Sequence, residues 1–325
     1  MKSVGVVLLA ALQGSNAFLA SLAAFTRQTV GLFLESDAKA RSEIQPKGNK
    51  RIVFIRHGCT YMNEYLGRGH EFGSPNFSDV FESAEDQDKY RDSKLSPLGV
   101  TQAKALSERL SKQRDSRERQ QSAWNRLQPG TDSKEANYFL PSDLDLIVLS
   151  PLTRALQTFE LGLRPVLQDC KPKIVALPLA AERVYLISDH GRIRSELESH
   201  WGNDICFDAC FRLNNDKLME EWWFGLDDRR AHPHAIPTGV TSKSYEEWRP
   251  SSQNQRYACP GEDHESFEKR MRKLYQWLEE RPESTIALVC HWGVIDWFLD
   301  REFMNCEVGV VPFEEIRPPS LMQLK

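Results

Sequence analysis

The chain has 325 residues, 40% of them hydrophobic and 27% charged, with a mean hydropathy of −0.51. This is the profile of an ordinary soluble globular protein, long enough to bury a full core and to form about two domains. A formal net charge of −4 and an isoelectric point near 6.1 exclude the global basic field that holds nucleic acid, so an anionic ligand has to be captured locally.

In chain order, Lys2 is followed by an apolar run from Val4 to Leu12 and then by Ser15-Asn16-Ala17, with small residues where a signal peptidase reads. Residues 1–17 therefore read as a signal-peptide-like leader cut before Phe18. Gln13, Gly14, Ser15 and Asn16 interrupt the apolar run and make a spanning helix of about twenty residues poor, so no stable membrane span is expected in the mature chain. The leader implies entry into the secretory pathway. Phe18, with Arg27, Lys39 and Arg41 downstream, also resembles the two-part leaders of plastid proteins in secondary endosymbiotic algae. On that reading the targeting region extends to about residue 45, and secretion and plastid delivery both stay open.

Four short apolar runs read as strands: Ile52 to Ile55, Leu144 to Leu149, Ile174 to Leu177 and Thr285 to Cys290. None alternates with polar residues, which fits strands covered on both faces, and helical patterns between them predict parallel pairing through crossovers. The first helix opens at Ser96-Pro97-Leu98 and presents Ala103, Leu106 and Leu110 to a core. The second opens at Ser150-Pro151-Leu152 and presents Leu152, Leu156, Phe159 and Leu163. In both, serine serves as N-cap and proline as the first helical residue. A third, opened by Asp263, buries Phe267, Met271, Leu274 and Leu278. The expected fold is an α/β three-layer α/β/α sandwich with a mostly parallel central sheet: a single catalytic domain over residues 50–310 with inserted cap segments. The insertions are a glycine- and acid-rich excursion at about 64–94, placed to close over a site, and a tryptophan-bearing stretch at about 199–262. Residues 111–142 read as a solvated helix continuation plus a linker.

Seven cysteines without a CxxC pair describe neither a disulfide framework nor a zinc site. The close pairs Cys206/Cys210 and His232/His234 read as packed or solvated residues, and Cys59 and Cys290 as small buried hydrophobes.

Chemistry concentrates where the strands end. Arg56-His57-Gly58 follows the first strand; taken alone, a solvated pair in a loop is an equal reading. The second strand leads through Ser150-Pro151-Leu152-Thr153 to Arg154, and the last ends at His291-Trp292-Gly293. If these strands are parallel neighbours, two guanidiniums and two imidazoles converge on one sheet edge, a setting for a tetrahedral dianion.

Those motifs, with Thr60 and Asn63 behind the first and Leu95-Ser96-Pro97-Leu98-Gly99 before Gln102-Ala103, resemble the histidine phosphatase superfamily, also called phosphoglycerate mutase-like, in its larger branch. The resemblance implies a phosphoric monoester hydrolase acting on a small phosphorylated substrate, with no cofactor and no metal. His57 would be the nucleophile that forms a phosphohistidine, while Arg56, Arg154 and His291 hold the phosphoryl oxygens with help from Asn63 and Thr60. Glu182 in Glu182-Arg183-Val184-Tyr185 is the first choice for the acid that protonates the leaving group, and Asp189 the second. Arg183 is a candidate contact to an anionic substrate, Tyr185 belongs to the same substrate-facing stretch, and Trp292 either lines the pocket or packs beneath the cap. Glu182-Arg183-x-Tyr185 also looks like the phosphoglycerate mutase pattern, which keeps an isomerase open. Against it stand the long acidic excursion and a weak counterpart, Arg229-Arg230, of the second arginine pair. A non-catalytic phosphate-binding or scaffold protein is the alternative of another class. The physiological substrate and the oligomeric state leave no pattern in the sequence.

Overall fold

A computed structural model describes residues 50–67, 89–124, 139–167, 170–184, 187–214, 217–220, 222–223, 262 and 264–316. The chain divides into two units, Met1–Gly48 and Asn49–Lys325, and every described residue lies in the second. The leader, Tyr185, His232, His234 and Arg229-Arg230 lie outside the described residues, as does most of each insertion.

Eight strands are described: β1 (Arg51–Arg56), β2 (Leu146–Leu149), β3 (Lys173–Ala176), β4 (Ile205–Cys206), β5 (Arg212–Asn214), β6 (Lys217–Met219), β7 (Thr285–Cys290) and β8 (Val308–Pro312). Six of them form one sheet in the order β4-β3-β2-β7-β1-β8, and β5 and β6 form a separate hairpin. All pairs in the large sheet are parallel except β1 with the edge strand β8. The four strands read from the sequence are its centre. β4 and β8 are additions: one is two residues long, and the other carries a glycine and a proline that blunt its apolar signal.

Six α-helices are found among the described residues: α1 (Tyr61–Leu66), α2 (Pro97–Trp124), α3 (Thr153–Thr158), α4 (Arg194–Trp201), α5 (His264–Glu280) and α6 (Trp292–Leu299). Side chains that alternate along the strands divide the core in two. Val53, Ile55, Ile147, Leu149, Ala287 and Val289 pack with Ala103, Leu106 and Leu110 of α2 and with Leu156, Phe159 and Leu163 of α3 and the π-helical turn after it. Ile52, Phe54, Leu146, Val148, Ile286 and Leu288 pack with Phe267, Met271, Leu274 and Leu278 of α5 and with Val294, Ile295 and Phe298 of α6. A sheet apolar on both faces and covered on both is the three-layer α/β/α arrangement.

The helix starts differ from expectation at one place. Ser96 does cap α2, its Oγ accepting the Gly99 N–H at 3.3 Å. Ser150 does not cap α3, which begins only at Thr153 after Leu152. There the Asp92 carboxylate accepts the Thr153 N–H at 2.8 Å and the Thr153 hydroxyl, a cap supplied from the other side of the excursion. Trp222 and Trp223 are buried, and Trp222 Nε1 donates to the Arg192 carbonyl at 2.9 Å, so these two residues of the tryptophan-bearing stretch are packed.

Candidate active site

The sheet register builds the site. β1 and β7 pair through Arg56 and Cys290, so one step further His57 and His291 leave the sheet side by side, ring centroids 5.0 Å apart. β2 lies on the other side of β7, and the loop after it delivers Arg154 in the first turn of α3. The chain passes from β1 over β7 to β2, leaving a switch point at the carboxyl ends of parallel strands, where open α/β sheets hold ligands.

His57 is buried, and its Nδ1 lies 2.7 Å from the Gly58 carbonyl oxygen. A carbonyl can only accept, so Nδ1 carries the proton and the lone pair is on Nε2. Burial first, and then the Arg154 and Arg56 guanidiniums, hold this imidazole well below its ordinary range. The ring is therefore neutral, with one nitrogen anchored and the other nucleophilic.

The backbone around it is clamped from two directions. Cys306 N–H donates to the Arg56 carbonyl at 3.1 Å, and Asn305 Nδ2 donates to the His57 carbonyl at 3.0 Å. From the other side, Gly58 N–H donates to Thr158 Oγ1 at 3.0 Å, and that hydroxyl donates to the Arg154 carbonyl at 2.7 Å. One buried threonine thus ties the His57 motif to the Arg154 helix. α2 begins so close to the same loop that a β-carbon at Gly99 would lie 1.9 Å from the Cys59 carbonyl oxygen.

Arg154 is buried among three acceptors: Nε donates to His291 Nδ1 at 3.2 Å, Nη1 to the Ser188 carbonyl at 2.6 Å and Nη2 to Asp189 Oδ1 at 2.8 Å. Because His291 accepts at Nδ1, its proton sits on Nε2, which donates to Ser150 Oγ at 2.6 Å. Burial, with Arg154 next, pushes His291 well below the ordinary imidazole range, in keeping with that neutral tautomer. These three bonds use three of the five guanidinium N–H donors of Arg154 and leave one on each Nη for a phosphoryl oxygen. Arg56 donates through Nη1 to the Phe303 carbonyl, while its Nε is buried without a hydrogen-bond partner. Such a donor is costly unless an acceptor arrives.

Glu182 lies on the loop after β3. Its Oε1 accepts the Arg183 N–H at 2.9 Å, and its Oε2 accepts the Gly293 N–H at 3.1 Å in the first turn of α6, next to His291. Burial and then the neighbouring Asp189 charge raise its pKa, opposed by the two N–H groups and by Arg154. A carboxyl raised in this way holds its proton to higher pH than a free one does, which is the direction a general acid needs.

The five principal residues named from the sequence, Arg56, His57, Arg154, Glu182 and His291, thus meet at one end of the sheet. Others have different employment. Thr60 and Asn63 form a capping box for α1, each side chain accepting the other's N–H, at 3.0 and 3.1 Å. The Asn63 amide NH2 and the Thr60 hydroxyl proton lie outside that exchange. Arg183 Nε donates to the Glu262 carbonyl at 2.9 Å. Asp189, the alternative acid, is ion-paired with Arg154. Trp292, next to His291 in the sequence, is 42% exposed and so is not packed away. The sequence suggested no site role for Ser150, read there as an N-cap, or for Thr158. A serine or threonine next to a catalytic strand end was the available signal, but each partner lies about a hundred residues or more away in the sequence.

The family model described as histidine phosphatase superfamily (branch 1) matches residues 212–310, which include His291 but not the other four principal residues. No curated protein matches by sequence. Similar solved structures include the ecdysone phosphate phosphatase of Bombix mori in complex with tungstate, at 11% identity and a TM-score of 0.40, covering 85% of this chain and 95% of that one. A structure of the open reading frame Rv3214 from Mycobacterium tuberculosis matches at 17% identity and 0.36, covering 81% and 90%. Phosphoglycerate mutase from Thermus thermophilus matches at 15% and 0.31, covering 80% and 88%. Identities and scores this low transfer neither a reaction nor a substrate. The family model covers residues 212–310 and the motif order from Arg56 leads to it, so in that stretch the chain is similar to the histidine phosphatase superfamily.

Proposed function

We propose that, within the phosphatase or mutase activity that the family supports, this chain is a phosphoric monoester hydrolase working through a phosphohistidine at His57. The observation that carries the reading is the anchored tautomer of His57, with Nδ1–H on the Gly58 carbonyl and the Nε2 lone pair unspent, beside two arginines. Nε2 attacks phosphorus and the P–O bond to the ester breaks. The leaving alkoxide takes the Glu182 proton, so the alcohol departs neutral. Glu182, now a carboxylate, accepts a proton from a water molecule as that water attacks phosphorus. The P–N bond breaks, the lone pair returns to Nε2, and inorganic phosphate is released. Arg56 and Arg154 stabilise the charge on the equatorial oxygens during both in-line displacements, the role that dominates phosphoryl transfer.

Against the isomerase reading stands Arg183, one of the three residues of the pattern that suggested it, whose Nε donates to a backbone carbonyl. The test is acid-free trapping of the intermediate followed by mass spectrometry of the His57 peptide, together with phosphate release from a panel of sugar phosphates, nucleotides, phosphoglycerates and phosphopeptides. A phosphorylated His57 and loss of turnover in His57→Ala are expected; full activity in His57→Ala would overturn the mechanism. Equilibration of 3-phosphoglycerate with its 2-isomer, given a bisphosphoglycerate primer and without free phosphate, would move the assignment to a mutase.

A further inference from the structure

Away from the phosphate pocket, Arg270 of α5 forms a second, fully satisfied polar centre. It is buried, as is its partner Glu262, and the two pair bidentately: Nε with Oε1 at 2.7 Å and Nη2 with Oε2 at 2.6 Å. The other three N–H donors all go to one short stretch of backbone. Nη1 donates to the carbonyls of Leu179 at 2.8 Å and Ala181 at 2.7 Å, and Nη2 to the carbonyl of Glu182 at 3.2 Å. All five donors of the guanidinium are used. The Phe267 ring, one turn earlier on α5, lies 5.1 Å from the guanidinium carbon and helps to hold its plane. Glu262 in turn joins the far end of the stretch, its N–H donating to the Val184 carbonyl at 3.0 Å and its own carbonyl accepting Arg183 Nε at 2.9 Å.

The burial of this ion pair is weak evidence for stability, because a buried pair repays its desolvation poorly. What it does specify is geometry: the backbone of residues 179–184 has no regular secondary structure after a single 3-10 turn, and three of its carbonyls converge on one planar fork. Glu182 sits inside that stretch. We infer that Arg270 is a positioning residue for Glu182, fixing through Glu262 and the 179–182 carbonyls the place from which the acid delivers its proton. This rests on the reading of Glu182 as general acid. An ammonium on a flexible stem cannot reproduce a five-donor planar fork, so Arg270→Lys keeps the charge and loses the alignment.

The experiment compares phenyl phosphate, whose leaving group needs a proton, with p-nitrophenyl phosphate, whose leaving group needs one much less. Wild type, Arg270→Lys, Glu182→Gln, Glu262→Gln and the double variant Arg270→Lys/Glu182→Gln are measured on both esters. Misplacing a catalytic group by about 1 Å costs about 10²-fold; a kcat loss of that order is expected in Arg270→Lys on phenyl phosphate, with a much smaller loss on p-nitrophenyl phosphate. Glu262→Gln should change the ratio of the two rates in the same direction, and it carries the test if Arg270→Lys does not fold. The double variant should lose nothing in that ratio beyond Glu182→Gln, since a residue acting through another is not additive with it. Equal losses on both esters in Arg270→Lys, or a further loss of the ratio in the double variant, would overturn the inference while Glu182 stands. No change of ratio in Glu182→Gln would instead overturn the acid assignment, and the inference with it.

Discussion

Glu182 and Gly293 meet so closely that a β-carbon on the glycine would lie 2.4 Å from Glu182 Oε1, while the Gly293 N–H holds Oε2 at 3.1 Å. The colliding atom is the end of a flexible side chain, so Gly293→Ala is inexpensive for the fold. Alanine is also the better helix former by roughly 0.5–1 kcal/mol. The expected outcome is an unchanged or slightly raised melting temperature with a loss of kcat on phenyl phosphate that approaches the 10²–10⁴-fold of losing a general acid. Calorimetry and kinetics on the same preparation check both halves.

The acid limb of the kcat/KM profile should report His57. Its unprotonated form attacks, and burial with Arg154 and Arg56 holds its pKa below the ordinary imidazole range, so activity persists below the usual histidine pKa of about 6.5 and falls only at lower pH. Arg154→Met removes the charge with the larger influence on His57. Whatever it does to the height of the profile, the acid limb should move up towards that ordinary value.

The basic limb should report Glu182, whose protonated form is required and whose pKa is raised by burial and then by Asp189. Asp189→Asn removes that negative charge, and Glu182 then gives up its proton at lower pH. The basic limb should shift downwards in Asp189→Asn, while at a pH below the new limb phenyl phosphate remains a substrate. Complete loss of acid assistance in Asp189→Asn at every pH would make Asp189 the acid instead.

Thr158→Val keeps the volume of the side chain and removes the hydroxyl that joins Gly58 N–H to the Arg154 carbonyl. The buried Gly58 N–H is left without its acceptor, at a cost of about 1–3 kcal/mol. Urea denaturation should show that loss as a lower midpoint at unchanged m-value.

The four central strands were legible as short apolar runs, and the meeting of the five principal residues because Arg56, His57 and His291 stand at strand ends while Arg154 and Glu182 follow β2 and β3 within a few residues. Less was legible wherever the deciding partner is distant in the sequence. Ser96 and Ser150 sit in the same Ser-Pro-Leu context, yet only the first caps its helix; the second helix starts later, at Thr153, and Ser150 Oγ meets His291 Nε2, 141 residues away. The cap of α3 comes from Asp92, buried and held at φ 45°, a backbone conformation that aspartate tolerates and that nothing nearby announces. Thr60 and Asn63 have the spacing of a capping box, and the sequence reading gave them to phosphate instead. Glu182 and Asp189 were separable only by their partners: one accepts backbone N–H groups, the other faces a guanidinium.

The place of β7 also governs when the protein becomes competent. β1 and β2 share no hydrogen bonds, because the strand between them comes 234 residues after the first. A ribosome that has released β1 to β3 has made His57 and Arg154 but not the strand that holds them together. The entropy of closing so long a loop grows only logarithmically, by about 0.6 kcal/mol per doubling, whereas such distant pairing slows folding strongly. The proposed pocket is therefore complete only once β7 has paired between β1 and β2.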